Sequence, residues 1–162
     1  ASRPGPQVWD ADALNLLASG AVNLPPESLI TPHPGEAARL LGLSSAEVQA
    51  DRSAAARALA RQYQAVVLLK GAGSLVAAPD GRLALCDRGH PAMAGAGLGD
   101  VLAGLIGALL AQGLAAFEAA CLAVWLHAAA GESLGAQGRG LAASDLLPAI
   151  RQLLEEQSPC LN

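Results

Sequence analysis

The chain has 162 residues, of which 52% are hydrophobic, 15% charged and 2% aromatic, and it carries a formal charge of −4. That length suits one domain with a real core rather than two, and a composition this apolar and rich in Gly and Ala points to close helix–sheet packing. The acidic balance, with no basic run and no aromatic–basic interleaving, excludes a nucleic-acid partner on electrostatic grounds.

In chain order, PQVWDADAL starts as a short buried strand and runs out into a polar loop at Asp10 and Asp12. SLITPHPGEAARLLG follows as strand, Pro-rich turn and helix, with Pro34 in the first helical turn and Gly42 just past the end. Ser44 and Glu47 have the spacing of a capping box, so a second helix is predicted to run to about Gln62. AVVLLKG, 65–71, reads as a β-branched central strand that delivers Lys70 to its end. SLVAAPDGRLALCD is a hairpin turning at Asp80-Gly81.

A loop over 86–99 then feeds a helix over 100–112, and a further helix spans about 116–134. Ser144 is predicted to cap a last helix, 145–157, with Leu146, Leu147, Ile150, Leu153 and Leu154 on its buried face. Alternating strands and helices imply α/β layers joined by right-handed crossovers.

Cys86, Cys121 and Cys160 are odd in number and widely spaced, which argues against a disulfide framework or a zinc site and fits a reducing, cytoplasmic setting. ASRPGPQVWD shows no basic-then-apolar signal pattern, and VLAGLIGALLA, 101–111, is too short to span a bilayer.

The chemistry concentrates in 89-GHPAMAGAGLGDVLAGLIGALLAQG-113, where Asp100 is the only charged residue. The first N–H groups of a helix lack internal partners, and the helix dipole adds positive charge there. Gly95, Gly97 and Gly99 strip side chains from the approach, so an anion could rest on backbone N–H groups. Asp100 has two readings: a first-turn carboxylate complementing the dipole, or a general base for phosphoryl transfer beside a bound phosphate.

Lys70 at the edge of a core needs an anionic partner or an exit to water, and phosphate or a nearby carboxylate is the favoured partner. His33 could be an ordinary turn residue and His90 a solvent-facing one, whereas His127 on an apolar face reads as a hydrogen-bonded core histidine. Asp145 reads as a first-turn helix residue, and Trp9 and Trp125 as core packing.

The 89–113 segment closely resembles the C-terminal signature of the ADP/ATP-dependent NAD(P)H-hydrate dehydratases, members of the ribokinase-like superfamily. The segments 10-DADALN-15, 31-TPHPGEAARLLG-42, 68-LLKGAGSLVAAPDG-81, 127-HAAAG-131 and 142-AASDLLPAI-150 agree with the family in order, so the resemblance covers nearly the whole chain. It implies a single ribokinase-like α/β/α domain, residues 1–162, that looks like the C-terminal half or so of the family domain. The rest would belong to a longer chain or to a partner.

By the same resemblance Asp100 is the base that deprotonates the hydroxyl of hydrated NADH or NADPH, which is phosphorylated from ADP or ATP before phosphate leaves. Gly97, Leu98 and Gly99 would form the anion hole, and Gly99 would border the nucleotide. Lys70, Gly71, Ala72, Gly73 and Ser74 would hold the adenine nucleotide, His33 the hydrated dinucleotide, and Glu36 would influence Mg2+ through water. Magnesium would be the only metal, arriving with the nucleotide, and a homo-oligomer without membrane partners is expected.

Four positions depart from the family pattern: Leu98 stands where Thr is usual, His90 and Ala92 make His90-Pro91-Ala92-Met93 of Asn-Pro-Gly-Met, and Ser74 replaces Thr. The alternatives are a related kinase for a small alcohol such as a vitamin precursor, or a non-catalytic nucleotide-binding module.

Overall fold

The computed structural model describes residues 5–158. Five strands, β1 (Gln7–Trp9), β2 (Ser28–Ile30), β3 (Val66–Leu69), β4 (Ser74–Ala77) and β5 (Leu83–Cys86), lie side by side in chain order. β1, β2 and β3 are parallel, with Trp9 opposite Ile30 and Ile30 opposite Val67. β4 and β5 continue the sheet antiparallel, with Val67 opposite Ala77 and Ala77 opposite Leu83. The hairpin expected at Asp80-Gly81 is therefore present, and it closes one edge of the sheet.

Side chains alternate across a strand, and in β3 both faces are covered. Val67 and Leu69 enter one core with residues of α2 (Pro34–Leu41) and α4 (Arg52–Tyr63), among them Ala37, Ala56 and Leu59. Val66 and Leu68 enter a second core on the opposite face, with Leu102 and Ile106 of α5 (Leu98–Ala111) and Ala120 and Val124 of α6 (Ala116–Gly135). A sheet between two helical layers follows from that continuous apolar run. A third cluster joins Leu98, Leu126, Ala130, Leu146 and Ile150 between α5, α6 and α7 (Leu146–Gln157).

The capping signals decide several helix ends. Ser44 accepts from the Glu47 N–H at 3.2 Å and Glu47 returns to the Ser44 N–H at 2.8 Å, opening α3 (Ser45–Ala50). Gly42 closes α2 in the left-handed region at φ 67°.

Four expectations need correction. Asp12 does not lie in a loop: it opens α1 (Asp12–Ala18), which buries Leu14 and Leu17 one turn apart. The helix predicted from Ser44 to Gln62 is two helices, broken at Asp51 (φ −144°), whose Oδ1 accepts from Ala54 N–H at 2.8 Å and so starts α4. Ser144 is not the cap of α7; it lies in a 3-10 turn, Ala143–Asp145, and Asp145 Oδ2 instead accepts from the Ala142 N–H at 2.9 Å. Leu147 is 60% exposed rather than on the buried face of α7.

Trp9 and Trp125 pack against cores as expected. Cys86 and Cys121 are free thiols, both raised in pKa mainly by burial, while Cys160 lies outside the described residues. Among the described residues no helix is long and apolar enough to cross a membrane.

Candidate active site

Three parallel strands end at one edge, and each delivers a charged residue there. Asp10 follows β1, the segment Thr31–Glu36 follows β2, and Lys70 follows β3. Ligands of open α/β sheets bind outside the carboxyl ends of such strands. Lys70 Nζ sits 2.6 Å from Asp10 Oδ1 and 4.0 Å from Glu36 Oε2. Lysine at the core edge thus has a carboxylate partner, one of the two expected kinds. The side chains of Lys70, Asp10 and Glu36 are 20%, 15% and 7% exposed, so their charges are only partly screened by water.

His33 caps α2. Its Nδ1 accepts from the Gly35 and Glu36 N–H groups at 2.9 and 3.3 Å, while Glu36 Oε2 accepts from the His33 N–H at 2.8 Å. Nε2 of His33 lies 3.5 Å from Glu36 Oε1, and its side chain is 51% exposed. The capping bonds take Nδ1, which leaves the exposed outer edge of the ring for a ligand.

The glycine loop reaches the same ledge. A Cβ on Gly99 would lie 3.6 Å from Lys70 Nζ and 3.7 Å from Asp10 Oδ2, which puts the first turn of α5 against the ion pair. Gly97 is the N-cap of α5 at φ 79°, with no side-chain cap, and the first helical bond runs from Val101 N–H to Gly97 O at 3.2 Å. The N–H groups of Leu98, Gly99 and Asp100 therefore have no partner within the helix. Asp100 is exposed in that first turn, and no described residue forms a hydrogen bond or ion pair with it.

Leu98 turns its side chain inward: it is 4% exposed and packs with Leu126, Ala130 and Leu146. Only its backbone faces the loop, and that backbone is tethered, since His127 Nε2 lies 2.9 Å from the Leu98 carbonyl oxygen. His127 is the hydrogen-bonded core histidine expected: the carbonyl can only accept, so Nε2 donates to it, and burial lowers the imidazole pKa. His90 caps the 3-10 turn Pro91–Ala94 through Nδ1, which accepts from Ala92 N–H at 3.1 Å.

Two glycines one turn apart on α6, Gly131 and Gly135, leave notches in which the Met93 thioether and the His90 ring sit. Glu132 between them binds Arg88 and accepts from the Gly89 N–H at 2.8 Å. The loop before α5 is thus clasped to α6 along its length.

The segment Lys70–Ser74 lies beside this ledge, with Gly71 at φ 144° and Gly73 at φ 68°. Ser74 Oγ donates to Gly71 O at 3.1 Å. Sequence reasoning singled out no role for Arg52, whose guanidinium donates to the carbonyls of Leu69, Lys70 and Ala72. Nothing in its sequence position, the first residue of a helix, announces that contact. Two concavities, one between α6 and α7 and one at the opposite end of the sheet, include neither Asp100 nor Lys70.

A mixed five-stranded sheet flanked by helices on both faces, with an ion pair and an uncapped helix start at its carboxyl edge, is an α/β fold of the ribokinase-like type. The comparisons narrow that class. Residues 1–153 match the family model for NAD(P)H-hydrate dehydratase, and the chain belongs to that family. It is 49% identical over 161 residues to the ADP-dependent (S)-NAD(P)H-hydrate dehydratase of Neisseria meningitidis, covering 91% of this chain and 53% of that protein.

It is 53% identical over 152 residues to the bifunctional NAD(P)H-hydrate repair enzyme Nnr of Vibrio cholerae, covering 92% of this chain and 30% of that enzyme. The crystal structure of the Bacillus subtilis ADP/ATP-dependent NAD(P)H-hydrate dehydratase, co-crystallised with ATP and Mg2+, is similar at TM-score 0.82 and 32% identity, covering 93% of this chain and 55% of that one. The chain thus spans about half the length of these dehydratases and less than a third of the repair enzyme.

Proposed function

We propose that this chain carries the nucleotide-binding and base-supplying part of an ADP- or ATP-dependent dehydratase acting on hydrated NADH or NADPH. One observation carries the reading: exposed, unpaired Asp100 stands in the first turn of an uncapped helix whose Gly99 abuts the Lys70–Asp10 pair. A purely structural first-turn acid would be served as well by any open surface. Here the turn that carries it abuts, through Gly99, the ledge where three strands end.

In this reading the N–H groups of Leu98 and Gly99 hold the phosphoryl group, and Lys70 with the 71–74 loop holds the nucleotide behind it. Asp100 takes the proton of the ring hydroxyl as that oxygen attacks the terminal phosphorus, and the shortened nucleotide departs with the electrons of the broken P–O bond. Phosphate then leaves the ring with the C–O bonding pair, and loss of a proton from the neighbouring carbon restores the dihydronicotinamide. His33 borders the dinucleotide through the exposed edge of its ring.

Magnesium fits as a companion of the nucleotide. No cluster of three or more His, Cys, Asp or Glu among the described residues is placed to cage a metal, and Mg2+ is ordinarily held by one or two carboxylates together with phosphates. Asp10 and Glu36 are the carboxylates on the ledge, Glu36 acting through water. When bound, the ion neutralises phosphate charge.

The test is to incubate the intact protein with hydrated NADH and either ADP or ATP and follow absorbance in the NADH band. Regained absorbance that requires the nucleotide is expected. No recovery with either nucleotide refutes the proposal.

A further inference from the structure

We propose that Arg52 is a positioning residue for nucleotide binding: it draws the carbonyls of the 69–72 segment beneath the loop and thereby turns the N–H groups of Gly71 and Gly73 outward to receive phosphate. This rests on the nucleotide-binding reading of residues 70–74 and adds to it a residue from α4.

A carbonyl and the N–H that follows it lie in one plane and point in opposite directions. Arg52 Nη2 donates to Leu69 O at 3.3 Å and to Lys70 O at 3.2 Å, and Nη1 donates to Ala72 O. The N–H groups of Lys70, Gly71 and Gly73 must then point away from the guanidinium. The first of them shows that this holds, since Lys70 N–H donates to Pro32 O at 2.8 Å on the far side. The other two make no hydrogen bond among the described residues, so a pair of free donors faces outward beside Lys70. Successive outward N–H groups of this kind form an anion-binding concavity.

The local chemistry argues that the contact is selected for the loop rather than for the helix. A cation in the first turn of α4 opposes the helix dipole. Arg52 is half-buried, desolvation pulls its pKa down, and its Nε is buried with no partner in the structure. A Lys, with a point charge and no fork, could not reach three carbonyls at once. The glycines complete the fit. A Cβ on Gly71 would come within 2.8 Å of Arg52 Nη2, and one on Gly73 within 4.0 Å of Nη1. Only a bare backbone at Gly71 lets the guanidinium approach so closely, and both glycines take φ values that disfavour side chains.

The experiment uses the intact protein and titration calorimetry with ADP, so that it does not depend on turnover. Arg52→Gln and Arg52→Lys are both expected to weaken ADP binding by about tenfold or more, the scale of losing charge-assisted hydrogen bonds. Affinity for hydrated NADH, measured in the same calorimeter, should stay within about twofold, because that ligand does not rest on this loop. ADP affinity within about twofold of the parent in either variant overturns the assignment. So does an equal loss for ADP and hydrated NADH, which would mark a general structural role.

Should Arg52→Gln fail to fold, Gly71→Ala is the second probe. It keeps Arg52 but presses a methyl group on its guanidinium, and it must show the same selective loss of ADP affinity; unchanged affinity overturns the proposal. Selective loss of ADP affinity in a protein that shows no dehydratase activity upholds Arg52 and sinks the dehydratase reading alone. A parent protein that binds no ADP sinks both.

Discussion

Lys70 Nζ and Asp10 Oδ1 lie 2.6 Å apart, joining the ends of β3 and β1 across the intervening β2, and Gly99 of α5 approaches both. The pair holds a cation at the carboxyl edge of the sheet without neutralising the ledge, because Glu36 stands 4.0 Å away. Lys70→Met removes that cation and leaves Asp10 and Glu36 unopposed. We expect ADP affinity to fall by about tenfold or more in calorimetry, and stability to fall by about 1–3 kcal/mol in urea titration, since one charge of a largely buried pair is left unpaired. Equal ADP affinity in the variant would remove Lys70 from the nucleotide site.

Asp100 forms no hydrogen bond or ion pair with any described residue. Asp100→Ala should therefore melt within a few degrees of the parent and bind ADP at least as well, because a repelling charge is gone. Turnover of hydrated NADH should fall by about 10²–10⁴-fold, the usual contribution of a positioned base. Turnover surviving within about tenfold would assign proton removal to another group.

Leu98 occupies a position where the family pattern has Thr, and the structure buries that side chain at 4% exposure among Leu126, Ala130 and Leu146. Leu98→Thr places a hydroxyl in this apolar cluster. Stability should drop by about 1–3 kcal/mol in denaturant titration, while the free N–H of residue 98 and the kcat are retained. A large loss of kcat at full stability would mean that the side chain, and not the backbone, serves the anion.

His127 carries a pH dependence. Burial lowers its folded pKa below the unfolded value of 6.5, so the folded state resists the proton that the unfolded state accepts. Its contribution is complete above pH 6.5 and is lost progressively as pH falls from there towards the lower folded value. Denaturation midpoints measured between pH 7.5 and about 5 should fall in the parent. They should fall less in His127→Gln, whose amide can still donate to the Leu98 carbonyl. Identical pH profiles would show that another group dominates.

Much of the fold was legible because local rules were strong where they applied. The apolar run Val66–Leu69, the Asp80-Gly81 turn, the Ser44–Glu47 box and Gly42 each act within a few residues, and each element appears where those signals put it. The elements misread were ones whose local signals were ambiguous. Asp12 opens α1 because Leu14 and Leu17 find a core, and the chain turns into that helix through Ala11, a non-glycine residue at φ 48°. Asp51 interrupts what looks like one helix by capping the next. Ser144 lies in a 3-10 turn ahead of α7, where Asp145 accepts from the Ala142 N–H and neither side chain caps the helix.

The candidate site divides in the same way. By itself the sequence determined which segments make up the candidate site: a carboxylate beside bare glycines at a helix start, a lysine ending a buried strand, and a glycine-rich turn after it. Each of these reflects a conformational demand that only certain residues meet. The tertiary structure alone decided that Lys70 faces Asp10 across the sheet, that Leu98 turns inward under His127, and that Arg52 grips the 69–72 carbonyls from another layer. Those partners are 60, 29 and 18 residues apart in the chain. Such separations leave no periodicity or spacing to read, because they arise only when the sheet stacks its strand ends at one edge and the helices fold over them.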